Sequence, residues 1–126
     1  MASLLHQSLP ADEFEAIFVN DGSTDDTAER LDRLAAKHAH IRVLHIENSG
    51  WPSRPRNLGV DNARGEYVFF ADDDDWFADE ALERLYAYAK TNDADIVIGK
   101  MAGYGRFVPR SCSGRTGPPP LWAIRR

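Results

Sequence analysis

The chain has 126 residues, 43% of them hydrophobic, which suits one small globular domain with a modest core rather than several domains. All 20 acids lie within the first hundred residues beside ten basic ones, a net of -10 there, while the last twenty-six residues carry five arginines and no acid. So acidic a body excludes a phosphate-backbone binder, and no nucleic-acid partner is expected. No apolar run approaches the ~20 residues that cross a bilayer, and MASLLHQSLP has no basic leader segment, so the expectation is a cytoplasmic protein without a transmembrane segment. A single cysteine, Cys112, leaves the fold to packing alone, because no internal disulfide or zinc spacing is available.

In chain order, residues 2 to 9 read as the last turns of an amphipathic helix whose preceding strand is missing. Short apolar runs then alternate with amphipathic stretches, the pattern of an α/β fold with an open, mostly parallel sheet and flanking helices. Strands are expected at Glu15 to Val19, Ile41 to Ile46, Tyr67 to Ala71 and Asp95 to Gly99, rich in β-branched and aromatic residues as buried strands require. Helices are expected from near Asp25, Ser53 and Asp79, each with a side-chain oxygen available as a cap. Ala28, Leu31, Leu34, Ala35 and His38 give the first helix its core face, and Leu82, Leu85, Tyr86 and Ala89 the third. His38 reads as a packed helix-end residue rather than a ligand. Residues 105 to 126, which hold three consecutive prolines and lose periodicity, read as a disordered or foreign basic tail.

Three constellations carry chemistry. In YVFFADDDDWF, four successive carboxylates, Asp72 to Asp75, follow an apolar strand with no basic residue among them. Where ligand crevices form at strand ends, such carboxylates repel one another if partly desolvated, and Mg²⁺ or Mn²⁺ would relieve the repulsion. A solvated acidic turn is the plainer alternative. A helix-loop-helix calcium site is excluded, since Trp76 and Phe77 stand where a ligand and a glycine are required. In VNDGSTDDT, Asp21 ends a strand and Gly22 and Ser23 turn the chain, placing a carboxylate on the sheet edge expected for Asp72. In NSGWPSRPRNLG, Arg54 and Arg56 fall near the first turn of a helix, where free amides and the helix dipole favour an anion. Pro55 is tolerated there because first-turn amides lack partners.

Taken in order, VNDGSTDDT, NSGWPSRPRNLG and ARGEYVFFADDDDWFADEAL resemble the successive motifs of family 2 glycosyltransferases with the GT-A fold, over roughly residues 3 to 100. The resemblance implies a Rossmann-like nucleotide-sugar-binding half, residues 1 to 104, with its first strand missing. It implies Asp21 on the base of a UDP-sugar or similar donor, and Arg56 and Asn57 close to the nucleotide. Asp72 falls near the ribose and at the metal, Asp73 at the variable position of the Asp-x-Asp motif, and Asp74 on the diphosphate-bound Mg²⁺ or Mn²⁺. The implied reaction is metal-dependent sugar transfer from a nucleoside diphosphate to an acceptor hydroxyl, with inversion, as in cell-wall or polysaccharide synthesis. Asn20 stands where the family often has an acid before Asp21. The family's acceptor half and catalytic base lie beyond the metal motif, so no catalytic residue is assigned, and a fragment with little activity alone is expected. A missing strand would leave a sheet edge that invites self-association. A Mg²⁺-binding receiver-like module, using Asp21, Asp72 to Asp75 and Lys100, is the alternative reading, and an inert truncated chain is a third.

Overall fold

The computed structural model describes residues 2–99 and 122–125. The elements in order are α1 (Ala2–Leu5), β1 (Ala16–Asp21), α2 (Thr27–Ala35), β2 (Ile41–Ile46), α3 (Ser53–Asn62), β3 (Tyr67–Phe69), α4 (Ala81–Thr91), β4 (Ile96–Ile98) and β5 (Trp122–Arg125). The described residues fall into two compact units, residues 9–68 and residues 2–8 with 69–99 and 122–125.

In the unit of residues 9–68, β1 and β2 run parallel in register from Ala16 opposite Ile41 to Asp21 opposite Ile46. Two parallel strands need a crossover, and α2 supplies it. Its apolar residues place Leu31, 4% exposed, in the core with Ala16 and Ile41, and leave Ala28, Leu34 and Ala35 half-buried. Just before the helix, whose N-cap Asp26 makes no side-chain cap bond, Asp25 accepts the Thr27 amide at 3.0 Å, and the Thr27 hydroxyl and amide hold its carboxyl below the ordinary range. His38 lies just past α2, half-buried, with its ring edge-on to His40, which in turn tilts against Phe14. That is the packed helix-end role expected of it. On α3, Gly59 faces Val19 of β1, and an added Cβ would stand 3.8 Å from the valine.

A half-buried clasp ties the start of β1 to later chain. Glu15 accepts the Arg64 amide at 2.6 Å, the Arg64 Nε at 3.1 Å and the Arg42 Nη1 at 3.0 Å, and Arg42 also donates to the Asn62 carbonyl. Partial burial pushes the Glu15 carboxyl up, but the Arg64 amide and the guanidinium groups of Arg42 and Arg64 outweigh it and hold the group below its ordinary value.

In the other unit, Leu85 and the fully buried Ala89 form the inner stripe of α4, joined by Phe77 and Val97 in the core. Phe77 packs edge-on against Phe69 at 5.2 Å. The helix start is capped from a distance. Gln7 accepts the Leu82 amide at 3.0 Å while its amide nitrogen lies 2.9 Å from the carbonyls of both Ser3 and Ala78. Ser8 donates its hydroxyl to Glu83. At the other end Asp93 takes a positive φ of 47° and the Ala94 amide returns to the Ala89 carbonyl, closing the last turn.

Several expectations change. Strand β1 runs on to Asp21, β3 stops at Phe69 and β4 is only three residues long. Ile96 and Ile98 are 53% and 51% exposed, so β4 buries Val97 alone instead of both faces. Tyr86 lies on the outer side of α4, because the inward stripe is narrow enough for Leu85 and Ala89 to fill. The expected local caps are absent at α3, preceded by Pro52, and at α4, where Gln7 does the work. Trp122–Arg125 departs from the expected unpatterned tail. This four-residue strand pairs antiparallel with β4, Ile96 opposite Ile124, in a sheet of order β3-β5-β4. A single short apolar run after three prolines carries no periodicity by which to recognise it. The rest of the expected tail, which holds Cys112, lies outside the described residues, as does Lys100 of the receiver-like alternative.

Candidate functional site

The loops at the carboxyl end of the parallel pair are built around Asp21, the last residue of β1. Its Oδ1 accepts the Ser49 amide at 2.8 Å, and its Oδ2 lies 2.7 Å from the Ser49 hydroxyl. The Asp21 carbonyl accepts from Asn48 Nδ2 at 3.0 Å, and Asn48 Oδ1 accepts the Gly50 amide at 2.9 Å. The Ser49 hydroxyl also lies 3.0 Å from the Trp51 carbonyl, so one proton serves two acceptors and the shorter contact, to the carboxylate, is the stronger. Gly22, at φ +70°, lets the two loops touch, for a Cβ there would stand 2.5 Å from the Asn48 nitrogen. Beneath this clamp Asn20 is 7% exposed. Its Oδ1 accepts the Ser23 amide at 3.1 Å and its Nδ2 lies 3.1 Å from His45 Nδ1, while His45 Nε2 lies 3.0 Å from Asp32. With Asn20 as donor, His45 carries its proton on Nε2, toward the carboxylate. An acid at position 20 would lose that donor, which gives Asn20 a physical reason.

Helix α3 follows directly. Arg54, Asn57, Leu58 and Asp61 recur on one helical face and, with Ser53 and Ile46 at the end of β2, line a shallow pocket of about 460 Å³. Asn57 therefore faces a concave surface. Arg56 is exposed on a neighbouring face, with its amide donated to the Pro52 carbonyl at 3.2 Å, and does not line that pocket. The structure thus separates two residues that the motif sets side by side, since adjacent helical positions point about 100° apart.

The acidic run belongs to the other unit. After β3 the chain turns at Asp73 and Asp74, with the Asp75 amide donated to the Asp72 carbonyl at 3.2 Å. Asp72, Asp73 and Asp74 are exposed and Asp75 is half-buried. The expected argument from desolvated, mutually repelling carboxylates is thereby corrected, because water screens them here. Trp76 is 77% exposed, and the buried anchor of the turn is Phe77. Among the described residues no group of three or more His, Cys, Asp or Glu is arranged to hold a metal. The donor set still fits Mg²⁺ or Mn²⁺, since such ions are held by one or two carboxylates and complete their shell with water and ligand phosphates. No helix among the described residues is long and apolar enough to cross a membrane.

Sequence reasoning missed Asn48, Ser49 and the Asn20–His45 contact. An Asn-Ser-Gly tripeptide signals only a turn, and nothing local announces that its partner is a carboxylate 28 residues earlier.

The sequence pattern of glycosyl transferase family 2 matches residues 1–111. The chain is 41% identical over 118 residues to the poly(ribitol-phosphate) beta-glucosyltransferase of Bacillus spizizenii, covering 92% of this chain and 19% of that protein. It is 39% identical over 114 residues to the poly(ribitol-phosphate) beta-N-acetylglucosaminyltransferase TarP of Staphylococcus aureus, covering 88% of this chain and 35% of that one. The crystal structure of S. aureus TarS 1-349 aligns with a TM-score of 0.83 at 32% identity over 98% of this chain and 41% of its own. The same protein in complex with UDP-GlcNAc aligns with a TM-score of 0.79 at 37% identity, over 87% of this chain and 32% of its own. The chain thus spans 19% and 35% of the lengths of these two curated relatives. With the α/β architecture, the three motifs in order and this match across most of its length, the chain belongs to glycosyl transferase family 2.

Proposed function

We propose that this chain is the donor-binding part of an inverting glycosyltransferase, binding a UDP-sugar or a similar nucleotide-diphosphate sugar through residues 1 to 104. The observation that carries the reading is the likeness to TarS in complex with UDP-GlcNAc, at 37% identity over 87% of this chain. In this reading Asp21, Arg56 and Asn57 serve the nucleotide, and Asp72 and Asp73 the ribose side of the acidic turn. The motifs, in family order, support those assignments. Asp72 and Asp74 would hold Mg²⁺ or Mn²⁺, which when bound neutralises negative charge developing on the leaving diphosphate.

The chemistry left to the polypeptide is binding and orientation. Arg56, exposed at the start of α3, adds a positive charge to a helix end that already favours anions. The reaction also needs a base that takes the proton of the acceptor hydroxyl. We assign that role to no residue of this chain, and the sugar transfer itself to a longer protein of the kind its relatives represent.

Thermal unfolding tests the reading. A ligand that binds only the folded state raises the midpoint as its concentration passes its Kd. UDP with Mn²⁺ is expected to raise it by several degrees, and UDP alone by much less. A midpoint unmoved by millimolar UDP and Mn²⁺ together would contradict donor binding.

A further inference from the structure

We propose that Trp51 is the stacking surface for the nucleobase of the donor, presented by a loop that Asp21 and Asn48 hold in place. The inference rests on the donor-binding reading above and deepens it. A singly exposed aromatic residue is ordinary on a protein surface, so exposure alone, 71% for Trp51, decides nothing. What distinguishes Trp51 is its mounting. The preceding three residues are fixed by the Asp21 carboxylate on Ser49, the Asn48 amide on the Asp21 carbonyl and the Asn48 carbonyl oxygen on the Gly50 amide. The Trp51 carbonyl itself lies 3.0 Å from the Ser49 hydroxyl, and Pro52 with its fixed φ follows. Gly50, at φ +69°, turns the chain just before Trp51 and has nothing within 4 Å of an added Cβ. A large planar side chain is thus presented to open space by a backbone already ordered, which lowers the entropic cost of stacking on it.

Two further observations select the ligand. Both Asp21 carboxylate oxygens accept from Ser49, and each keeps a lone pair for a further donor such as the edge of a base. Immediately after Trp51 and Pro52 comes the first turn of α3, where Arg54 and Arg56 add positive charge to a helix start whose dipole favours an anion. An aromatic face next to a cationic helix start matches a molecule with a planar ring at one end and phosphates at the other, a nucleoside diphosphate. Stacking of a base on an aromatic side chain tolerates different bases, so Trp51 would supply affinity, and hydrogen bonds elsewhere the choice of base.

The test compares UDP with pyrophosphate, each titrated with Mn²⁺ into the full chain and into Trp51→Phe and Trp51→Ala. Because the side chain is exposed, both variants are expected to unfold at the wild-type temperature. Stacking predicts a UDP Kd raised about tenfold or more by Trp51→Ala and only a few-fold by Trp51→Phe, with pyrophosphate binding unchanged in both. Equal UDP affinity in all three proteins would overturn the role of Trp51 while leaving the donor site standing. An equal loss of UDP and pyrophosphate would overturn it too, by showing a structural effect on the loop. A wild-type chain that binds neither molecule overturns the donor-binding reading and this role with it.

Discussion

At the scale of single residues, one carboxylate can be doing either of two jobs, and its partners tell which. Glu15 and Asp21 stand at the two ends of β1 and both accept backbone amides from chain far away in sequence. Glu15 is a fastener. Its side chain is 14% exposed and it joins Arg42 and Arg64. A carboxyl whose folded pKa lies below its unfolded one contributes stability above the unfolded value and loses it as pH falls through the folded value. Glu15→Gln is therefore expected to lower the unfolding midpoint at neutral pH, and the gap from wild type to close as pH falls through the carboxylate range. Midpoints measured against pH for both proteins check this, and a gap that stays constant down to acid would mean the clasp owes nothing to the charge. Asp21 was legible in the sequence as a strand-end acid before a Gly-Ser turn. Its engagement with Ser49 was not, because a hydrogen bond across 28 residues depends on how two loops meet.

At the scale of elements, the sequence spoke clearly where apolar spacing was long and regular. Ile41–Ile46 and the start of α3 at Ser53 stand where the pattern sets them, and α2 turns Leu31 inward as its periodicity requires. It spoke poorly where a contact replaced a local signal. The start of α4 depends on Gln7, some seventy residues earlier, and β5 depends on β4 as a template. Gly22 is the element-scale counterpart at the site, joining the β1–α2 turn to the β2–α3 loop. A side chain there would both strain a φ of +70° and overlap Asn48 at 2.5 Å. Gly22→Ala is expected to cost roughly 1–3 kcal/mol in urea unfolding. It should also weaken UDP binding beyond what lost stability explains. Unchanged stability would show that the two loops are free to separate.

At the scale of the whole molecule, family membership rests on motif order and on an α/β frame shared with TarS, whereas function rests on the residues those motifs deliver. The acidic run was conspicuous as sequence, yet Asp72, Asp73 and Asp74 are exposed in the structure, where water screens their mutual repulsion. Its claim on a metal now rests on donor chemistry and on the family motif. The Asp21 loop, plainer as sequence, turns out to be the more elaborately built of the two. The measurement that tests the account most directly is a calorimetric titration of UDP into the chain with and without Mn²⁺, repeated on Asp74→Ala. The account predicts a binding isotherm that needs the metal and is lost in the variant while the variant stays folded. UDP binding equally well without metal, or undiminished in Asp74→Ala, would contradict it.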